Sequence, residues 1–309
     1  MQAFHYDAFT FPIPADHRFP ADKYYRLSQH ILERGILAPA DLHNPPAASI
    51  EQLALVHTPE YIQKVLQGSL SEKDIRRIGL PWTSQLVERA LRSVGSTIAA
   101  CRAALAEGIA ASLGGGTHHA YPDHGEGYCI FNDVAVAVRV LQSERRVRRI
   151  AVIDCDVHQG HGTAAIFTGD DSVFTFSIHG AKNFPFHKEN SSLDIALPDG
   201  ADDSIYMDVV RHGLEQVFTS GSFDLAIYLA GADPLKGDRL GRMAVSKQGL
   251  AHRDRLVFER CRQADLPIAV TMSGGYSKDI NDIVDVHAET IRLAQQTWLQ
   301  YQDEPIHKS

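Results

Sequence analysis

Short apolar runs rich in β-branched residues alternate along this chain with stretches whose apolar residues recur every three or four positions. That alternation predicts strands feeding helices. Strands are predicted at residues 2–6, 53–57, 109–113, 150–153, 172–179, 225–230 and 267–272. Helices are predicted at 17–35, 59–66, 82–108, 134–142, 207–219, 250–264 and 283–299. In the 17–35 helix Tyr25, Leu27, Ile31 and Leu32 sit near helical spacing, and Gly35 stops it. The longest helix carries Val87, Leu91, Val94, Ile98, Cys101 and Leu105 as one apolar stripe. Thr83 or Ser84 caps its start, Gly108 ends it, and Asn132 or Asp133 caps the 134–142 helix. Residues 38–48 and 182–203 are rich in proline and polar residues and read as loops; the second is of the kind that rims a site.

Strands alternating with helices imply an α/β fold, a mostly parallel sheet covered by helices on both faces. No internal repeat or linker interrupts the pattern, so residues 1–309 read as a single domain.

Composition narrows the function. The chain has 309 residues, 44% of them hydrophobic, enough for one large core. Its 30 basic against 38 acidic residues give a net charge of −8, which disfavours a general nucleic-acid binder. Cys101, Cys129, Cys155 and Cys261 are scattered with no C-x-x-C pair, which argues against a disulfide framework and fits a reducing cytoplasm. Neither a signal peptide nor an apolar run long enough to span a bilayer is evident. Arg145, Arg146, Arg148 and Arg149 read as a cluster at a helix C-terminus, not a nucleic-acid patch.

Chemistry concentrates where strands run out. After Ile150–Ile153 comes Asp154-Cys155-Asp156-Val157-His158, and strand alternation would put Asp154, Asp156 and His158 on one side. A carboxylate and an imidazole from such a strand end suit a catalytic zinc that draws a third ligand from elsewhere. A calcium loop also starts D-x-D, but His158 and Gln159 stand where it needs a carboxylate or amide and a glycine. Gly114-Gly115-Gly116-Thr117-His118-His119 follows another strand; without a lysine it is no phosphate loop, and it delivers two histidines suited to acid–base work. Two further strand ends carry Asp233 and Tyr276.

These motifs carry a family resemblance over nearly the whole chain. Gly-Gly-Thr-His-His, Gly-Tyr-Cys-Ile-Phe-Asn-Asp, Asp-Cys-Asp-Val-His-Gln-Gly, Gly-Ala-Asp-Pro-Leu-Lys-Gly-Asp-Arg-Leu-Gly and Ser-Gly-Gly-Tyr occur in the order found in zinc-dependent histone deacetylases. The chain resembles that family, and with Gln159 and Pro234 most resembles class IV and bacterial relatives. The resemblance implies a three-layer arginase/deacetylase-like domain. It implies one Zn2+ held by Asp156, His158 and Asp233, with His118, His119 and Tyr276 catalytic and Asp154 supporting His118. A structural K+ would use Asp154, Asp156, His158, Ser177 and Ile178. Gly127, Tyr128, Leu240 and Phe184 would line the acyl-lysine tunnel.

The implied activity is removal of acetyl or longer acyl groups from lysine side chains of proteins or peptides. The alternative is deacetylation of an acetylated polyamine or other small amine. An arginase-like dinuclear centre would need further bridging carboxylates, and Asp238, in a Gly-Asp-Arg-Leu-Gly turn, suits structure better. His161 is a departure, because the family commonly has Asp or Asn there to partner the second histidine. Gly274 and Gly275 are expected to leave the tyrosine loop room to swing.

Overall fold

The structure, a computed structural model, describes residues 1–6, 11–14 and 16–303; the ends of the expected 1–309 domain beyond them lie outside the described residues. Eight strands form one sheet: β1 (Ala3–Phe4), β2 (Leu42–His43), β3 (Ile109–Ser112), β4 (Ile150–Asp154), β5 (Val173–Gly180), β6 (Leu193–Leu197), β7 (Leu225–Leu229) and β8 (Ile268–Thr271). Their order is β2-β1-β3-β8-β7-β4-β5-β6, and every pairing is parallel. The sheet is thus wholly parallel, where the sequence indicated a mostly parallel one.

Both faces are buried, and β4 shows how. Ile150 and Val152 enter a core shared with the helices α5 (Ser84–Glu107) and α6 (Asp133–Ser143). Ala151 and Ile153 enter the opposite core, shared with α8 (Asp203–Thr219), α9 (Lys247–Gln263) and α10 (Ile280–Asp303). Side chains alternate across a strand, so a strand covered on both faces must be apolar throughout. Burying each Val or Ile contributes about 1.5–3 kcal/mol. No described helix is long and apolar enough to cross a membrane.

The helices α1 (Lys23–Glu33), α2 (Ile50–Leu53), α3 (Pro59–Gln67), α4 (Glu72–Ile78) and α7 (His161–Ile166) complete the chain. The predicted strand at 53–57 is not formed. Ser49 accepts from Gln52 N–H while Gln52 reaches back to Ser49 N–H, a capping box that starts α2 instead. The same device at Ser71 and Asp74 starts α4, which had no prediction. The loops at 38–48 and 182–203 each contain an edge strand, β2 and β6, too short or too half-exposed to show a clear alternation. α1 begins six residues later than predicted, after Pro20, and turns Tyr25 outward at 47% exposure while Lys23 is buried. The arginine cluster lies past α6, in the turn into β4, and Arg149 stacks on Phe223 there.

Candidate active site and metal centre

In a parallel sheet all carboxyl ends share one edge. β3, β8, β7 and β4 are neighbours, so the loops after them meet. Those loops carry His118–His119, Ser273–Tyr276, Asp233, and Asp156 with His158. β4 ends at Asp154, so Asp156 and His158 converge through the tight turn that follows and not through strand alternation.

Asp156, His158 and Asp233 are all buried, and one ligand atom from each lies within 4.8 Å of the others. His158 Nδ1 is 2.9 Å from Asp156 Oδ1 and 3.1 Å from Asp233 Oδ2. The remaining oxygens are spoken for: Ser273 Oγ and Gly274 N donate to Asp156 Oδ2, each at 2.7 Å, and Val157 N donates to Asp233 Oδ1 at 2.9 Å. Asp233 Oδ2 accepts no hydrogen bond. Burial and the Asp156 charge push the Asp233 carboxyl above the carboxylate range. Burial favours a neutral His158, but the two adjoining carboxylates override it and hold its pKa above the ordinary value. The donor set of one nitrogen and two carboxylate oxygens, all buried and drawn together, fits zinc. A Cβ at Gly274 would collide with Asp233 Oδ2 and come within 2.6 Å of Asp156 Oδ2, so glycine here makes room for the ligand carboxylates.

The tandem histidines differ. His118 Nδ1 is 2.6 Å from Asp154 Oδ2. Burial would lower its pKa, but Asp154 and Asp156 outweigh that and raise it to about 9. His119 is lowered well below the ordinary value by burial and by the neighbouring imidazoles of His118, His161 and His158. Its Nδ1 meets His161 Nδ1 at 3.1 Å, and His161 Nε2 lies 3.3 Å from Glu126 Oε2. His161 thus sits against His119, and a carboxylate stands one ring further out.

A cavity of about 510 Å3 opens onto His119, His158 and Tyr276. Gly127, Tyr128, Phe184 and Leu240, the residues the resemblance assigned to a tunnel, are among those lining it. A Cβ at Gly127, where φ is 53°, would meet His119 at 2.6 Å and Phe184 at 3.1 Å, so glycine keeps the channel open. The tyrosine loop has little room to swing: Lys23 Nζ donates to the Ser273 carbonyl at 3.0 Å, and Tyr276 N donates to Asp238 Oδ2 at 2.6 Å. Asp238 Oδ1 accepts from Leu240 N and Gly241 N, which occupies it structurally. Of the residues expected to hold potassium, Asp154 sits opposite Ser177 in the β4–β5 register, beside Ile178, and its Oδ1 accepts from Asp156 N at 3.1 Å.

Several supports escaped the sequence reading. Asn132 is more than a helix cap: its Nδ2 donates to the Ala120 carbonyl and to Thr163 Oγ1. Asp133 accepts from Gly116 N and Thr117 N, which fixes the glycine loop before His118. Arg253 Nη1 donates to the Gly231 carbonyl at 2.7 Å, beside Asp233. A polar Asn-Asp pair opening an apolar helix was the one available signal for the first two.

Comparison with known proteins agrees with this geometry. A histone deacetylase domain model matches residues 17–291. An uncharacterized protein of Picosynechococcus is 44% identical over 96% of this chain and 98% of its own length. Histone deacetylase 2 of Arabidopsis thaliana is 29% identical over 88% of this chain and 73% of its own. The HD domain of HDA15 shares the fold with a TM-score of 0.81 at 21% identity, covering 98% of this chain and 93% of that one. With the matched domain spanning most of the sequence and all the strand-end motifs, this chain belongs to the histone deacetylase family.

Proposed function

We propose that this protein is a zinc-dependent hydrolase that removes acetyl or longer acyl groups from lysine side chains of proteins or peptides. The observation that carries this reading is the buried Asp156–His158–Asp233 set, whose His158 lines a cavity shared with Gly127, Tyr128, Phe184 and Leu240. Asp156, His158 and Asp233 would hold one Zn2+ per chain, and Asp154, Asp156, His158, Ser177 and Ile178 a structural K+. Bound zinc supplies Lewis acidity towards an amide carbonyl and towards water.

The chain's own groups would do the rest. His119, kept neutral by burial and its imidazole neighbours, accepts the proton that water loses on attacking the carbonyl. His118, held protonated by Asp154, donates a proton to the departing lysine amine, so the products are a carboxylate and a free amine. Tyr276 keeps its hydroxyl proton because burial and the charges of Asp156 and Asp233 push its pKa well up, and it donates to the developing oxyanion. The walls exclude water and orient the extended side chain.

The test is hydrolysis of acetyl-lysine and longer acyl-lysine peptides by the zinc-loaded protein, beside acetylated polyamines. Peptide turnover with one zinc per chain is expected. Turnover of polyamines alone would transfer the reading to small amines, and two transition-metal ions per chain would sink the mononuclear site.

A further inference from the structure

The mouth of the active-site cavity carries one sign of charge. Arg18, Arg77, Lys182, Arg239 and Arg242 line it, and no Asp or Glu does. The chain as a whole has a net charge of −8, so this concentration runs against the average.

Part of the charge is compensated from outside the cavity. Asp199 lies 3.2 Å from Arg242 and 3.9 Å from Lys182. Arg239 instead donates to neutral carbonyls, from Nε to Tyr276 at 2.9 Å and from Nη2 to Arg18 at 2.8 Å. Those bonds fix its guanidinium and leave its charge in place. The Arg77 carbonyl accepts from Gly127 N at 3.2 Å, which anchors that residue to the channel wall. Among the described residues, the side chains of Arg18, Arg77 and Arg239 form no ion pair with a carboxylate.

We propose that this mouth selects acyl-lysine segments flanked by acidic residues, and disfavours polycations such as acylated polyamines or lysine- and arginine-rich tails. The proposal rests on the deacylase reading above. An acylated lysine is itself uncharged, so charge acts on what flanks it at the rim and not on the group at the floor. A cleft with one sign of charge and low-dielectric walls focuses its field and raises the on-rate of an oppositely charged ligand. Bringing like charges together costs binding. The effect decays over a Debye length, about 8 Å at physiological salt, so it acts on flanks held close against the rim.

The experiment compares three acetyl-lysine peptides of equal length, flanked by Asp and Glu, by Ser and Gln, or by Lys and Arg, with the zinc-loaded full chain. At low salt the acidic peptide should exceed the basic one in kcat/KM by at least about tenfold, mostly through KM. The ratio should collapse towards one at about 1 M salt. Arg18→Ala with Arg77→Ala should shrink the low-salt ratio, and because the ratio is internal to one enzyme, a general loss of folded protein cannot mimic that. Equal kcat/KM for the three peptides, or a preference for the basic one or for an acetylated polyamine, overturns the selection and leaves acyl-amide hydrolysis standing. Failure to turn over any acylated amine overturns both.

Discussion

His119 and His161 meet Nδ1 to Nδ1 at 3.1 Å, and the far nitrogen of His161 faces the Glu126 carboxylate at 3.3 Å. A carboxylate accepts only, so Glu126 favours the His161 tautomer with its proton on Nε2, while the Gln159 carbonyl, 3.3 Å from His161 Nδ1, favours the other. In the Nε2–H tautomer His161 Nδ1 accepts from His119 Nδ1–H, which leaves His119 Nε2 free for the cavity. The bond to His161 lowers the Glu126 pKa, consistent with an anion there. Glu126 thus acts on His119 at one remove, where Asp154 touches His118 directly.

The relay makes a prediction. Glu126→Gln should lower kcat/KM by about 10–100-fold, the usual cost of losing an outer partner that orients a site imidazole, with zinc content unchanged. His161→Asp places a carboxylate against His119 itself, so adding Glu126→Gln to it should cost little more. A silent Glu126→Gln in the parent chain would sink the relay.

The ligand set makes a second. Asp233→Ala should abolish both zinc binding and activity, because Asp233 Oδ2 is the buried oxygen with no other bond to make. Elemental analysis checks it: full zinc occupancy in Asp233→Ala would refute the assignment.

Much of this site was legible because its residues sit at strand ends, where an apolar run breaks into Asp, His or Tyr, and the parallel sheet brings such breaks to one edge. Asp156, His158, Asp233, His118, His119 and Tyr276 all fall there. What the sequence did not show acts across long separations. Lys23 reaches Ser273 from a helix whose stripe gave no reason to bury a lysine, and Glu126 gains its role only through the fold of two loops. Local capping chemistry was present but overlooked at Ser49 and Ser71, where apolar periodicity over four to seven residues cannot distinguish a helix from a strand.

Tyr276 and Lys23 can be separated. Tyr276→Phe removes only the hydroxyl and should keep zinc while lowering kcat by about 10²–10³-fold, the cost of one oxyanion donor. If turnover is unchanged and only the melting temperature moves, the tyrosine merely packs.

Lys23→Met keeps the aliphatic stem but deletes the donor that the Ser273 carbonyl uses, and the cation over the Tyr24 and Tyr276 rings at 5.1 and 5.4 Å. A buried carbonyl left unpaired costs about 1–3 kcal/mol, so Tm should fall. Because the loop bears Tyr276, kcat should fall with it, though less than in Tyr276→Phe. Lys23→Arg, which keeps a donor, should restore part of both. A Tm drop without any change in kcat would confine Lys23 to stability.

The last prediction concerns acid. His57 is buried with Nδ1 3.0 Å from the Tyr121 carbonyl, and its Nε2 accepts from Asn132 N at 3.0 Å. Nδ1 therefore carries the single proton. A second proton would break the bond to Asn132, the residue that holds the Ala120 carbonyl next to the tandem histidines. Burial lowers the His57 pKa to about 4, against 6.5 for an exposed histidine. The sign follows from proton counts: between those values the unfolded chain binds a proton that the folded chain refuses, so stability falls as pH drops through 6.5 and levels near 4. At pH 5 the loss from this group is about 2 kcal/mol relative to pH 8. His57→Gln retains a donor and an acceptor but cannot titrate. It should be less stable than the parent at pH 8, where the imidazole fits best, and should lose less than the parent between pH 8 and pH 5. Urea midpoints of the two proteins at both pH values check this, and parallel losses would show that His57 is not the acid-sensitive group.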